Sequence, residues 1–153
     1  MNDDDFNTET AGGGTYFKAG ENASAKAFLI EPKGTVVTQA DPFKPGETRD
    51  ILTADITVFR SQEDVDGKAD PEVLSGVTIT NKWLVADFTQ KPSMLTSKNI
   101  LRIAKKPARQ PGFQPTIIWA PVDEETANGV KAYVRKRQAD YEAALADVPE
   151  FLK

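Results

Sequence analysis

The stretch RDILTADITVFRS, residues 49–61, alternates apolar and polar side chains along its length. Successive side chains of a β-strand point to opposite faces, so an alternation with a period of two predicts a half-buried strand. One predicted face is wholly apolar, and the other is mixed. The apolar face carries Leu52, Ala54, Ile56 and Val58, and the mixed face carries Thr53, Asp55, Thr57 and Phe59.

The segments around this strand predict four more strands and two helices. Gly34 marks a bend in the first strand, and Val73, Val77 and Ile79 are expected to point inward from the third. The predicted elements, in order, are strands at 25–39, 49–61 and 72–81, a short helix at 82–90, strands at 100–105 and 116–122, and a long helix at 123–146.

Five strands with a helix between the third and the fourth follow the order of the OB-fold. We therefore expect a mainly β protein, a five-stranded OB-like barrel followed by a long C-terminal helix. The chain divides into a flexible acidic N-terminal arm (1–24), the barrel (25–122), and the C-terminal helix with its tail (123–153). OB-folds hold oligonucleotides with their second and third strands and with the loops after strands one and four.

The composition excludes several classes of site. The 153-residue chain has no Cys and no His, which excludes disulfides, imidazole catalysis and ordinary zinc sites. Asp50 and Asp55 fall on opposite faces of a strand, so they cannot act as an acid and base pair. The acidic segment 62–71 lacks the ligand spacing of an EF-hand. We therefore expect no enzyme activity, no cofactor and no metal site.

The chain also lacks the sequence features of a membrane or exported protein. No apolar run approaches the ~20 residues that a membrane helix needs. The N-terminal stretch MNDDDFNTET is acidic and polar, which is unlike a signal peptide. We therefore expect a cytoplasmic protein that has no membrane partner.

Charge is distributed unevenly along this acidic chain. The formal net charge is −4, yet residues 98–138 hold nine Lys and Arg against three Asp and Glu. Single-stranded nucleic acids are gripped by cations along the phosphates and by rings on which bases stack. The candidate binding residues are Lys98, Arg102, Lys105, Lys106 and Arg109 as cations, Phe113, Trp119 and Phe59 as rings, and Lys131 and Arg135 as a continuation along the helix.

The same residues also allow an interpretation without a ligand. The cations could simply solubilise a loop, Trp119 could belong to the core, and Lys131 and Arg135 could form a solvated helix face. The acidic termini could recruit replication or recombination proteins, or compete with nucleic acid for a basic groove. A homo-oligomer remains open as well.

Four segments carry a resemblance to a known family: AFLIEPKGTVVTQ, the Arg-Asp-x-x-x-Ala-Asp-x-x-Val spacing of RDILTADITV, VLSGVTITNKWLVADF, and ILRIAKKPARQPGFQPTIIWAPVDEETA. Together they resemble small proteins of bacteriophages of actinobacteria that are commonly regarded as single-stranded-DNA-binding proteins. The resemblance covers roughly residues 25–130. It implies an OB-like barrel that binds single-stranded DNA, with Lys105, Lys106 and Trp119 at the matching positions. The longer acidic arm and the extended C-terminal helix depart from the family pattern.

We therefore expect non-catalytic binding of single-stranded DNA during phage DNA replication or recombination, in the cytoplasm of the host cell. The alternative is a virion structural protein or a host-interaction protein with a β-rich body. The two differ in their response to charge reversal. A binder loses affinity when Lys105 and Lys106 become Glu, whereas a structural protein ignores oligonucleotides at low salt.

Overall fold

The long strand predicted around residues 49–61 is the centre of the sheet. The computed structural model describes residues 15–107, 112 and 115–147, and in them it shows six strands, four α-helices and one 3₁₀ helix (Pro92–Thr96). The strands are β1 (Ala27–Pro32), β2 (Val37–Ala40), β3 (Thr48–Phe59), β4 (Glu72–Ile79), β5 (Asn99–Lys106) and β6 (Thr116–Ala120). The helices are α1 (Ala19–Asn22), α2 (Gln62–Asp66), α3 (Lys82–Gln90) and α4 (Glu124–Ala146).

The sheet is antiparallel and open. Its main order is β4-β3-β1-β5-β6, and β2 pairs with the N-terminal part of β3 beyond the end of β1. The mainly β class, the short helix α3 and the long C-terminal helix are confirmed. The predicted five-stranded barrel is wrong in two respects, because the described residues form six strands and the sheet does not close.

Both corrections have local causes. The predicted first strand divides at the bend around Gly34, whose φ of 90° lies in the left-handed region, so β1 and β2 are separate strands. At the free edge of β4, the place of a closing strand is taken by the N-terminal segment. The Phe17 amide donates to the Thr78 carbonyl at 2.8 Å, and the Thr78 amide donates to the Thr15 carbonyl at 2.9 Å.

Residues 15–24, which the sequence assigns to the flexible arm, therefore pack against the sheet. Phe17 is buried, and its ring stacks on Trp119 of β6 with 6.3 Å between the centroids. Residues 1–14 lie outside the described part of the chain. The N-terminal segment thus bridges the two edges of the open sheet, by hydrogen bonds on one side and by a ring contact on the other.

Both faces of the sheet are covered. The apolar face of β3 is fully buried as predicted, in a core that α3 completes with Leu84, Val85 and Phe88. The opposite face packs against α2 and α4. That second core consists of Ala27, Leu29, Phe59, Val65 and Val130. The molecule therefore has three layers, with α3 on one side of the sheet and α4 on the other.

A β-bulge in β4 explains one wrong inward assignment. Val77 and Ile79 are buried as expected, but Val73 is 54 % exposed. The register between β3 and β4 shifts near Asp55. Gly76 adopts a φ of 63° there and donates its amide to the Asp55 carboxylate at 2.8 Å. The extra residue reverses the alternation, so Val73 points to the opposite side.

The helix starts are fixed by capping side chains, as short polar residues at these positions favour. The Asn81 side chain accepts from the amides of Trp83 and Leu84 at the start of α3. Asp123 accepts from the Thr126 amide at 2.7 Å at the start of α4. The hydrogen bonds from Thr126 lower the pKa of Asp123 below its ordinary value.

Candidate nucleic-acid interface

The cations of the predicted site that the structure describes are exposed, but those on β5 do not share one face. Lys98 precedes β5, and Arg102, Lys105 and Lys106 lie on it, all four being exposed. Because successive residues of a strand point to opposite faces, Lys105 and Lys106 lie on opposite faces of β5. Arg102 shares the α4 face with Lys106. The predicted positions Arg109 and Phe113 lie outside the described residues.

Arg102 has a structural contact of its own. Its Nε donates to the carbonyl of Pro121 at 2.9 Å, just before α4 begins. The side chain thus links β5 to the turn that leads into the helix. The rest of its guanidinium is available for a ligand, since the residue is exposed.

The two rings of the predicted site that the structure describes are core residues. Phe59 is fully buried and makes an edge contact with Tyr133 of α4 at 5.2 Å between centroids. Trp119 is buried, and its Nε1 donates to the carbonyl of Leu84 at 3.0 Å. Neither ring offers a face to a base. The proposal that Phe59 or Trp119 stacks on nucleic acid is therefore wrong.

The cations of α4 differ in availability. Lys131 and Arg135 are exposed, and they lie one helical turn apart on the same side. Arg137 instead donates two hydrogen bonds to the Glu31 carboxylate of β1, both at 2.9 Å. The hydrogen bonds to Glu31 raise the pKa of Arg137 above its ordinary value. Arg137 therefore fastens α4 to the sheet.

A second surface, which the sequence did not single out, combines exposed rings with cations. A groove of about 650 Å³ lies between the β2–β3 loop and α3. Phe43, at 78 % exposure, projects from the loop, and Trp83 of α3 is 50 % exposed. Tyr16, from the N-terminal segment, is 41 % exposed. Of the three rings, Phe43 lines the groove, and Tyr16 and Trp83 lie next to two cations that line it, Arg49 and Lys82. We call the groove together with these three rings the ring groove.

Each of these rings has a cation near its face. The guanidinium carbon of Arg49 lies 5.5 Å from the centre of the Tyr16 ring and 6.0 Å from that of Phe43. The same guanidinium donates to the Tyr16 hydroxyl at 3.3 Å. The Lys82 ammonium lies 5.4 Å from the centre of the Trp83 ring. Cations and rings therefore occur together here, which the described residues of the predicted site on β5 do not achieve.

Carboxylates balance the cations of the groove, and two of them have structural roles. Asp41 accepts from the Phe43 amide at 2.8 Å, which shapes the loop that carries the ring. Asp50 accepts from the Thr38 hydroxyl at 2.6 Å. Glu47 also lines the groove, opposite in charge to Lys44. A ligand would therefore be held more by the rings than by net positive charge.

The described residues carry no group of three or more Asp or Glu that could hold a metal ion. Among the same residues, no helix is both long enough and apolar enough to span a bilayer.

Comparison with known proteins gives no information on the function of this chain. No protein-family model, curated protein or solved structure matches this chain. A signal for the ring groove does exist in the sequence: Phe43 lies between Pro42 and Lys44 in a polar loop, a position that favours an exposed ring.

Proposed function

We propose that this protein binds single-stranded nucleic acid, without catalysis, in the ring groove. Bases would stack on Phe43 and Trp83, and the neighbouring Arg49 and Lys82 would contact phosphates. The observation that carries the proposal is a groove lined by Phe43, Arg49 and Lys82, with the exposed rings of Tyr16 and Trp83 beside these two cations. Stacking contributes ~1–3 kcal/mol per base and accepts any base, because every base has a π face.

The exposed cations of β5 and α4 lie outside the ring groove and are the alternative set of phosphate contacts. Lys105 and Lys106 lie on opposite faces of β5, so we expect them to add only a diffuse attraction for the strand held in the ring groove. The resemblance to phage single-stranded-DNA-binding proteins agrees with this function. The setting in phage DNA replication or recombination, and the OB-like character of the sheet, come from that resemblance and from the strand order alone.

A titration of a short fluorescent dT oligomer tests the proposal. Removing one stacking ring, by Phe43→Ala or Trp83→Ala, is expected to raise the Kd by ~5- to 150-fold, which corresponds to the loss of one base stack. Tyr141→Ala is the matched control, because Tyr141 is an exposed ring on α4, far from the groove in the fold. Trp83→Phe keeps a ring and should retain most of the affinity.

The salt dependence separates the two surfaces. For single strands, the log–log slope of affinity against salt is about −0.7 per phosphate contacted. Two contacts, from Arg49 and Lys82, give a slope of about −1.4, whereas the five cations of the basic segment would give about −3.5. A slope near −3.5 in the wild type that becomes shallow in the Lys105→Glu, Lys106→Glu variant would show that the phosphates bind at β5 and not in the ring groove.

Either of two results would contradict the proposal. If the oligomer does not bind at low salt, or if the Phe43→Ala and Trp83→Ala variants bind as tightly as the wild type, the ring groove is not a nucleic-acid site. The alternative from the sequence, a virion structural or host-interaction protein, would then account for the exposed rings as a protein-docking surface.

A further inference from the structure

The strand β5 presents exposed cations on the side of the sheet that α4 covers. Ile100 packs against the core beneath α4, whereas Leu101 and Ile103 belong to the core that α3 completes. Alternate residues of a strand share a face, so Arg102 lies on the α4 side. Lys98 precedes Ile100 by two residues in the same alternation. Both cations are exposed, and they flank Ile100.

The helix α4 carries two further cations on the side that faces β5. Val130 is buried against the sheet, and Gly129 and Lys136 lie to one side of it, where they line a cavity of about 350 Å³ beside α2. Lys131 and Arg135 lie to the other side, about 100° and about 140° around the helix from Val130. α2 follows β3, and β5 lies across β1 from β3. The side of α4 that faces away from α2 is therefore the side of β5.

These four exposed cations form one group, which we call the α4–β5 basic patch: Lys98, Arg102, Lys131 and Arg135. Within the part of the chain that the structure describes, no salt bridge includes any of the four. The neighbouring cations of α4 are paired, Lys136 with Asp140 and Arg137 with Glu31. Glu31 points from β1 to the same side of the sheet, and its two bonds to Arg137 already occupy it.

The patch is electrostatically unfavourable for the free protein. Like charges four residues apart on a helix destabilise it, and Lys131 and Arg135 are such a pair. A bound anion reverses the sign of the interaction, because each cation then faces an opposite charge. The arrangement is therefore suited to an anionic partner.

The surroundings of the patch favour carboxylates over nucleic acid. On this side of the sheet Phe59 is fully buried, and Tyr133 packs against its ring. Tyr141 is exposed, but it lies about 9 Å further along the helix axis than Arg135. Bases thus find no ring to stack on within the patch, whereas carboxylates require only cations and hydrogen-bond donors.

We propose that the α4–β5 basic patch binds an acidic segment of a partner protein, with several Asp or Glu side chains along the line where α4 passes β5. Its carboxylates pair with Lys131 and Arg135 on one side and with Lys98 and Arg102 on the other. The Nε of Arg102 already donates to Pro121, so its terminal N–H groups make the contact. The proposal does not depend on nucleic-acid binding, because the ring groove adjoins α3 on the opposite side of the sheet.

Fluorescence anisotropy of the full chain with a labelled Glu-rich peptide tests the patch, with a Gln-for-Glu peptide as the uncharged probe. The double variant Lys131→Gln, Arg135→Gln is expected to raise the Kd for the Glu peptide by about tenfold, because two ion pairs are lost. Lys68→Gln, Lys91→Gln is the matched control, since it removes the same charge from exposed positions outside the patch. That control should bind the peptide as the wild type does.

A single charge reversal separates binding from folding. Arg135→Glu replaces a like-charge pair with an opposite-charge pair on the helix, so the melting temperature should stay the same or rise. The affinity for the Glu peptide should fall in the same variant, because the patch loses one cation and gains a carboxylate. A variant that loses both stability and affinity would show that Arg135 has a structural role, which contradicts the proposal.

Three other results would overturn the proposal. The first is a wild-type chain that does not bind the Glu peptide at low salt. The second is an equal loss of affinity in the Lys68→Gln, Lys91→Gln control, because net charge alone would then account for binding. The third is a DNA oligomer or duplex that binds more tightly than the peptide and loses affinity in the Lys131→Gln, Arg135→Gln variant, since the patch would then be a phosphate site. Phe43→Ala, which tests the ring groove, should leave peptide binding unchanged, so the two proposals can fail separately.

Discussion

Replacement of Gly129 by Ala is expected to destabilise the protein, although Ala is the better helix former. Gly129 lies inside α4 where that helix crosses α2. A Cβ built on it would lie 2.5 Å from Cγ1 of Val65 and 2.7 Å from the Val65 carbonyl oxygen. Real Cβ atoms do not approach other atoms so closely, so α4 must move away from α2.

The magnitude follows from two opposing effects. In a helix interior, Ala is favoured over Gly by about 0.8–1.0 kcal/mol. Overpacking typically costs about 1–3 kcal/mol. The upper part of that range applies, because the Val65 carbonyl is backbone that cannot rotate aside, and the Val side chain is itself stiff about χ1. We expect a net loss of about 1–2 kcal/mol in the free energy of unfolding.

Urea denaturation followed by circular dichroism measures this loss. With an m-value of ~2 kcal/mol/M, the midpoint should fall by about 0.5–1 M while m stays unchanged. Gly20→Ala is the matched control, since Gly20 is also helical but has no atom within 4 Å of its Cβ position. That variant should be as stable as the wild type or slightly more so. A Gly129→Ala variant that matches or exceeds the wild type would refute the close contact between α2 and α4.

Three further substitutions test hydrogen bonds that stabilise the fold. Asn99→Ala should lower the free energy of unfolding by ~1–3 kcal/mol in urea denaturation, because the buried side-chain amide donates to three backbone carbonyls. Trp119→Phe should cost ~1–2 kcal/mol by the same measurement, since the Leu84 carbonyl loses its side-chain donor. Asp123→Ala should destabilise α4 near neutral pH. The hydrogen bonds from Thr126 lower the pKa of Asp123 in the folded state, so the stability that the carboxylate adds is fully present above the ordinary carboxyl pKa. This added stability is lost as the pH falls through the lowered pKa. The difference in unfolding free energy between the wild type and the Asp123→Ala variant should therefore be smaller at ~pH 2 than near neutral pH.

The period-two pattern of β3 predicted correctly which of its residues lie on the apolar, buried face of the sheet. Leu52, Ala54, Ile56 and Val58 are all buried, as the alternation required. The pattern could not show that Phe59 is buried too, because that depends on α4 packing over the opposite face. A local pattern reports which faces differ, but whether the second face is also covered depends on contacts distant in sequence.

For a similar reason, neither the β-bulge in β4 nor the open edge of the sheet could be predicted from the sequence. Gly76 could be seen, but its hydrogen bond to Asp55 depends on how β4 aligns with β3. The barrel was expected because the element order matched, yet closure requires hydrogen bonds between the last strand and β4. The segment around Tyr16, which the sequence assigned to a flexible arm, takes part of that edge instead.

The candidate site shows the limit of charge counting. Lys98, Arg102, Lys105 and Lys106 are exposed, but an alternating strand divides Lys105 and Lys106 between two faces. Phe43 lies in the β2–β3 loop, Arg49 lies on β3, and Tyr16 comes from another part of the chain. Only the fold brings these rings and the guanidinium together, so their grouping could not be inferred from spacing.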